Sequence, residues 1–307
     1  MQSLSFHPLS VNDRDTYEHY YQKSQIDITD YTFNCRLAWD GIYHNEFSVF
    51  EDTGIILSDG GIYSDPFVFL PMGELDGEKL EGILLAVHKE FKRRGWAFQV
   101  FSVGEEKLPL FDHLKYFEKS VSFQDSASDY VYDAKALQTL AGNKLHKKRN
   151  HVNKFLRTYP DFAYTSLSPA DFNDCLSLVE NWCKSKEIDP LDLYKSDYCM
   201  IKLLFEAYDK VDVKGGVLRV NEKVCAFALG SKGNQNSAFI HFEKADAAME
   251  GSYAVINQLV LQNEFPDVEI VNREEDLGIP GLRKAKQSYF PIRMLRKYKI
   301  NLTPIGS

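Results

Sequence analysis

Apolar positions along this chain recur in two rhythms, and the change between them marks the elements. Residues 1–30 are polar with scattered tyrosines, and Asn12 is placed to cap a helix through Tyr17, Tyr20 and Tyr21. From Tyr31 the pattern turns to short apolar runs at 37–39, 47–50 and 54–58. With turn residues at Asp40-Gly41, Asp52-Thr53-Gly54 and Asp59-Gly60-Gly61, these predict an antiparallel meander. A further strand over 67–70 is closed by Pro71. Then Leu80, Ile83, Leu84, Val87 and Phe91 form one apolar stripe, which predicts a helix ended by Gly95. A strand follows at 97–101, and 131–133 is expected to be the last strand of this first unit.

The second half repeats the order. Ser168-Pro169 opens a helix carrying Phe172, Leu176, Val179 and Trp182, with proline at its first position. A second helix is expected over 198–208, then a hairpin from 216–220 to 224–230 about a turn at Asn221, Glu222 and Lys223, and a strand at 238–243. An apolar helix begins at Gly251-Ser252, and a last strand runs over 268–271. Pro71-Met72-Gly73 and Met249-Glu250-Gly251 hold matching places, without sequence identity between the halves. Helices, antiparallel strands and a strand–helix–strand step in each half imply an α/β or α+β fold. The expected division is a first domain over 1–143, a basic linking helix over 144–163, and a second domain over 164–307.

Bulk properties narrow the function classes. A chain of 307 residues suits two domains. The net charge of −8 disfavours a dedicated duplex-DNA binder, while local basic patches remain suited to RNA or anionic lipid. Five cysteines without a C-x-x-C spacing point to reduced thiols, a cytoplasmic setting and no zinc ribbon. No leader pattern and no membrane-length apolar run occur, so the expectation is a cytoplasmic protein, at most peripheral to a membrane. Walker, dinucleotide and Ser-His-Asp signatures and metal-ligand spacings are not found in the sequence, which leaves kinase, dehydrogenase and hydrolase readings without support.

Charge concentrates in two stretches. The run 144–157 holds six Lys or Arg and no acid. As a helix it places Leu145, Val152 and Leu156 on one face with Arg149 among them, and turns Lys147, Asn150, His151 and Lys154 outward. Arg149 either lines a pocket or snorkels to the edge; both readings stand. The second stretch, 272–289, follows a strand. It brings Asn272, Arg273, Glu274 and Asp276 to a Gly-Pro-Gly turn, with Arg283, Lys284 and Lys286 in the helix beyond. Sites in α/β folds gather at the carboxyl ends of strands, so this turn is either a site or a solvated loop. His241 and Glu243 alternate on a strand and face one side. A histidine there is more often a satisfied core residue than a catalyst.

The element order resembles the GNAT acetyltransferase superfamily, and two copies in tandem resemble the Fem-type peptidyl transferases. The blocks KLHKKRNHVNKF at 144–155 and NREEDLGIPGLRKAKQSY at 272–289 are similar to the signatures of the phosphatidylglycerol lysyltransferase C-terminal-like family. Phe33-Asn34, Trp39 and Leu70-Pro71-Met72-Gly73 are weaker matches. The resemblance implies two tandem GNAT-like domains, each a mixed, largely antiparallel sheet flanked by helices. It implies acyl or aminoacyl transfer, with aminoacyl-tRNA or acyl-CoA as donor and a lipid, peptide or small-molecule acceptor.

Such transfer needs a proton acceptor and oxyanion donors. Glu274 and Asp276 are candidates for the first role, and Tyr289 for protonating a leaving group. Arg149, Arg283, Lys284 and Lys286 are candidates for holding an oxyanion or phosphate. Lys147, Lys148, Asn150, Asn153, Asn272 and Arg273 complete the expected binding set with His241 and Glu243. Gly251 and Ser252 stand where the superfamily cradles the CoA pyrophosphate, yet Ala248 and Tyr253 replace the usual partners of that loop. Gly251 as the start of a buried helix is therefore favoured over a CoA site, which turns the reading toward aminoacyl-tRNA. The alternative from another class is a non-catalytic module that binds RNA or anionic lipid through the basic helix. A deep pocket containing Glu274 or Asp276 distinguishes the transferase; a flat basic face with no enclosed carboxylate distinguishes the module.

Overall fold

The computed structural model describes residues 4–61, 65–193 and 195–306. It divides into two compact units. One comprises the chain as far as Asp129 together with the segment from Leu295 onward, and the other is Tyr130–Met294. The division therefore falls at neither 143 nor 164.

The first unit begins with β1 (His7–Pro8) and α1 (Arg14–Ser24). Ser10, rather than Asn12, caps the turn before α1, in a reciprocal box with Asp13. Next come α2 (Phe33–Ala38) and α3 (Asp40–Tyr43), where a strand at 37–39 and a turn at Asp40-Gly41 were expected. Thr32 caps α2 by accepting from the Cys35 amide, and all six residues of α2 are buried. Enclosure on every side erases the period that would have identified a helix. The meander is β2 (Glu46–Phe50), β3 (Thr53–Ser58) and β4 (Phe67–Phe69). Asp76 caps α4 (Gly77–Arg94), which ends in a left-handed Gly95, as its stripe requires. The strands β5 (Gln99–Gly104) and β6 (Phe117–Phe123) follow.

The second unit starts with β7 (Asp129–Asp133), α5 (Ala134–Thr139), α6 (His146–Thr158) and β8 (Ala163–Ser166). It continues through α7 (Phe172–Ser185), α8 (Tyr198–Glu206), β9 (Lys214–Val220), β10 (Lys223–Lys232) and β11 (Ser237–Ala245). It is completed by α9 (Ser252–Asn263), β12 (Ile270–Asn272), α10 (Pro280–Gln287) and β13 (Arg293–Leu295). The chain then returns to the first unit as β14 (Lys297–Pro304).

Two seven-stranded sheets result, ordered β1-β2-β3-β4-β5-β14-β6 and β13-β7-β12-β11-β10-β9-β8. Each contains a parallel pair joined by a crossover helix, β4–α4–β5 in the first and β11–α9–β12 in the second. The strand expected to close the first sheet, β7, pairs antiparallel with β12 in the second. The strand β14, which the sequence pattern did not announce, lies between β5 and β6. Lys297 on β14 is almost wholly buried, with its ammonium 2.7 Å from Asp129 and 2.9 Å from Asp30. Burial pushes the Asp30 carboxyl upward, but Lys297 and Arg36 outweigh it and hold it below the ordinary range.

The basic helix α6 is part of the second unit's core and not a linker. Leu145, Val152 and Phe155 are buried in one cluster with Val255, Ile256 and Val260 of α9. Leu156, placed on that face by the sequence pattern, is exposed, and Phe155 takes its place. Gly251 before α9 has φ +94°, and a Cβ there would lie 2.5 Å from the His151 carbonyl of α6. Glycine is needed on both counts.

Candidate functional site

The site is built where the parallel pair of the second unit opens. Strands β11 and β12 are in register from Ser237↔Ile270 to Phe239↔Asn272. Past that point side chains bridge the gap. His241 Nδ1 lies 3.0 Å from Glu274 Oε1, and Arg273 Nη2 lies 3.1 Å from both carboxylate oxygens of Glu243. The alternation of β11 thus turns both His241 and Glu243 toward the end of β12.

The turn after β12 is shaped from within by buried charge. Asn272 Oδ1 accepts from the Glu274 amide at 2.8 Å, and Glu274 adopts φ 60°. The Asp276 carboxylate, 1% exposed, accepts from the Tyr130 hydroxyl at 2.6 Å, Arg283 Nε at 2.7 Å and the Gly278 amide at 2.8 Å. Burial raises the Asp276 carboxyl, but these donors prevail and keep it below the usual range. The buried Lys286 ammonium donates to the Arg273 carbonyl and, at 3.2 Å, to that of Glu274. One carboxylate and one ammonium therefore fix the backbone that carries Arg273 and Glu274.

Around Arg273 the chemistry converges. Its guanidinium lies over the rings of Tyr289 at 4.7 Å and Tyr132 at 5.6 Å. Lys148 of α6 places its ammonium 3.9 Å from the centre of the same Tyr289 ring. Burial and then Arg273 bring the Lys148 pKa down to about 8, against a smaller upward pull from Glu243. Burial pushes the Tyr289 phenol up to about 12, with Arg273 opposing. Burial alone takes His241 down to about 4, so it is neutral at pH 7. Its Nε2 lies 2.8 Å from the Ser231 hydroxyl. Asn257 of α9 is fully buried and donates from Nδ2 to Glu243 at 3.0 Å. Two buried polar atoms here have no hydrogen-bond partner, Asn257 Oδ1 and Arg273 Nη1.

The structure brings Lys148, His241, Glu243, Asn272, Arg273, Glu274 and Tyr289 into this one region, and sets Asp276, Arg283 and Lys286 beneath it. The charges of the turn divide between two partners: Asp276 takes Arg283, while Glu274 turns to His241. Lys147, Asn150, Asn153 and Lys284 are exposed and stand apart. Arg149 Nη1 donates to the carbonyls of Leu140 and Gly142, where it closes the end of α5. Ser252 is buried, with its hydroxyl on the Asp246 carbonyl at 3.0 Å. The loop before α9 borders a cleft of about 820 Å³ whose charged lining is Asp174, Glu222 and Asp246 against Lys223. Tyr130, Tyr132, Ser231 and Asn257 were not foreseen. The break that Asn257 and Gln258 make in the apolar run of α9 was the one available signal for Asn257. Among the described residues no group of three or more His, Cys, Asp or Glu could hold a metal ion.

A mixed sheet whose parallel pair opens beside a crossover helix, present in each unit, defines the protein as a tandem GNAT-like fold. Residues 25–301 match the family described as phosphatidylglycerol lysyltransferase, C-terminal, and the chain belongs to that family. A conserved protein of unknown function from Bacteroides thetaiotaomicron is 30% identical with a TM-score of 0.91, over 98% of this chain and 100% of that one. A structure of FemX shares the fold at a TM-score of 0.67 and 7% identity, over 97% of each chain. An uncharacterised protein of Mycoplasmoides gallisepticum is 25% identical across 58% of this chain and 57% of its own length. The match thus spans little more than half of that curated relative.

Proposed function

We propose that the chain transfers an aminoacyl group from an ester donor, aminoacyl-tRNA, to a hydroxyl or amine of a lipid, peptide or small-molecule acceptor. The observation that carries this reading is the pair of unpartnered buried atoms beside Glu243. Arg273 Nη1 offers a donor and Asn257 Oδ1 an acceptor. Left empty, such groups are costly to bury. An α-aminoacyl group meets both, its carbonyl oxygen at Arg273 and its ammonium at Asn257 and Glu243.

In the reaction the acceptor's oxygen or nitrogen bonds to the acyl carbon, and the ester bond to the donor's ribose oxygen breaks. Lys148, with a pKa of about 8, is roughly one-tenth neutral at pH 7 and takes the acceptor's proton in that form. Arg273 stabilises the oxyanion. Tyr289 donates to the departing ribose oxygen. The enclosed carboxylates of Glu243 and Asp276 favour catalysis over a flat binding module.

Acyl-CoA fits less well. The loop before α9 faces three carboxylates and one lysine, a poor setting for a pyrophosphate. The gap between β11 and β12 is bridged by two side-chain pairs. The test incubates the protein with a panel of aminoacyl-tRNAs and with phosphatidylglycerol, the acceptor in the family's description, and follows aminoacyl-lipid by mass spectrometry. Transfer lost in Arg273→Met and Glu243→Gln is expected. Saturable turnover of acetyl-CoA, with no aminoacyl ester consumed, would refute the reading.

A further inference from the structure

We infer that the segment from Leu277 to Met294, with the start of α6, is a docking face for an anionic membrane surface. Eighteen consecutive residues here contain Arg283, Lys284, Lys286 and Arg293 and no acid, in a chain of net charge −8. The acid-free run that opens α6 meets this segment, with the Lys144 ammonium 6.0 Å from the Phe290 ring. Five large apolar side chains stand in solvent on the same segment: Leu277, Ile279, Phe290, Ile292 and Met294, each between 37% and 56% exposed. Scattered single exposures need no explanation, but five within one short connection do. Lys284 and Arg293 on the segment, and Lys144 and Lys147 in the run that opens α6, are exposed.

Exposed apolar side chains interspersed with Lys and Arg match the boundary between headgroups and acyl chains of an anionic bilayer. RNA suits the face less well. Four of the five apolar side chains are aliphatic and offer no ring on which a base can stack. A second copy of the chain would bring cations of the same sign face to face. The face is independent of the transfer reading, because partitioning is measured without turnover.

The experiment is co-sedimentation with vesicles of phosphatidylglycerol and phosphatidylcholine, against vesicles of phosphatidylcholine alone. The protein is expected to partition onto the anionic vesicles at low salt and to leave them as salt rises. Phe290→Ser with Ile292→Ser should weaken partitioning at least about tenfold at an unchanged melting temperature. Should that pair disturb folding, Leu277→Ser with Ile279→Ser gives the same readout. Lys144→Glu with Arg293→Glu should abolish binding. Wild-type protein remaining in the supernatant would overturn the inference. So would variants that bind vesicles normally, that lose only tRNA in a gel-shift assay, or that change only the oligomeric mass.

Discussion

Asp276→Asn separates a structured site from a charged loop. The substitution keeps the side-chain shape and removes the charge that orders Tyr130, Gly278 and Arg283. One-sided loss of a fully buried pair costs about 3–5 kcal/mol. The Arg283 side chain is 38% exposed and regains water, so the expected cost is about 2–3 kcal/mol. For a unit of this size that lowers its melting temperature by about 4–12 °C. Urea titration should show a lower midpoint at unchanged slope. The carboxyl is held below its usual range, so its stabilisation is complete above the unfolded value near about 3.9 and fades as pH falls through the folded one. The gap between wild type and variant should therefore be constant from pH 7 to about 5 and close in stronger acid. Transfer should fall as well, because the turn carries Arg273 and Glu274. A variant within about 0.5 kcal/mol of wild type at pH 7 would refute the reasoning.

Three further outcomes are expected. Lys297→Met leaves Asp30 and Asp129 facing each other in the first unit's core, and urea melts should show about 3–5 kcal/mol of destabilisation there; a neutral result means that the pair is hydrated. If neutral Lys148 is the base, transfer should rise with pH through about 8, and Lys148→Arg should flatten that limb and lower kcat/KM by about 100-fold; an unchanged profile assigns the base elsewhere. His241 titrates near 4 folded and about 6.5 unfolded, so it costs stability progressively as pH falls across that window; His241→Gln should reduce the acid slope of the melting temperature, and an unaltered slope would contradict a buried neutral imidazole.

Much of the fold could be read locally. The stripe and caps of α4, the Ser168-Asp171 box before α7 and the two-residue turn between β9 and β10 are written in neighbouring residues. The exchange of β7 and β14 was not legible, since an apolar run states that a strand exists and not which sheet receives it. The helix α2 was missed because all its faces are covered. At the site the charged turn drew notice by density alone. Its internal division was hidden, because which cation meets Asp276 depends on the path of α10. Lys148 and Arg149 are adjacent in sequence, yet one joins the site and the other closes α5.

The first sheet is interrupted in sequence by the whole second unit, with β6 before it and β14 after it. On the ribosome the order of completion is therefore reversed. Residues 130–294 are all made while the first sheet still lacks the strand between β5 and β6, along with Lys297, the partner of Asp30 and Asp129. Until residues 295–304 emerge, the nascent chain holds two buried-to-be carboxylates without their lysine and two strand edges without a neighbour. Such edges invite pairing with other chains. A product stalled before residue 295 should be recognised by quality control through its first unit, although the missing residues follow the second.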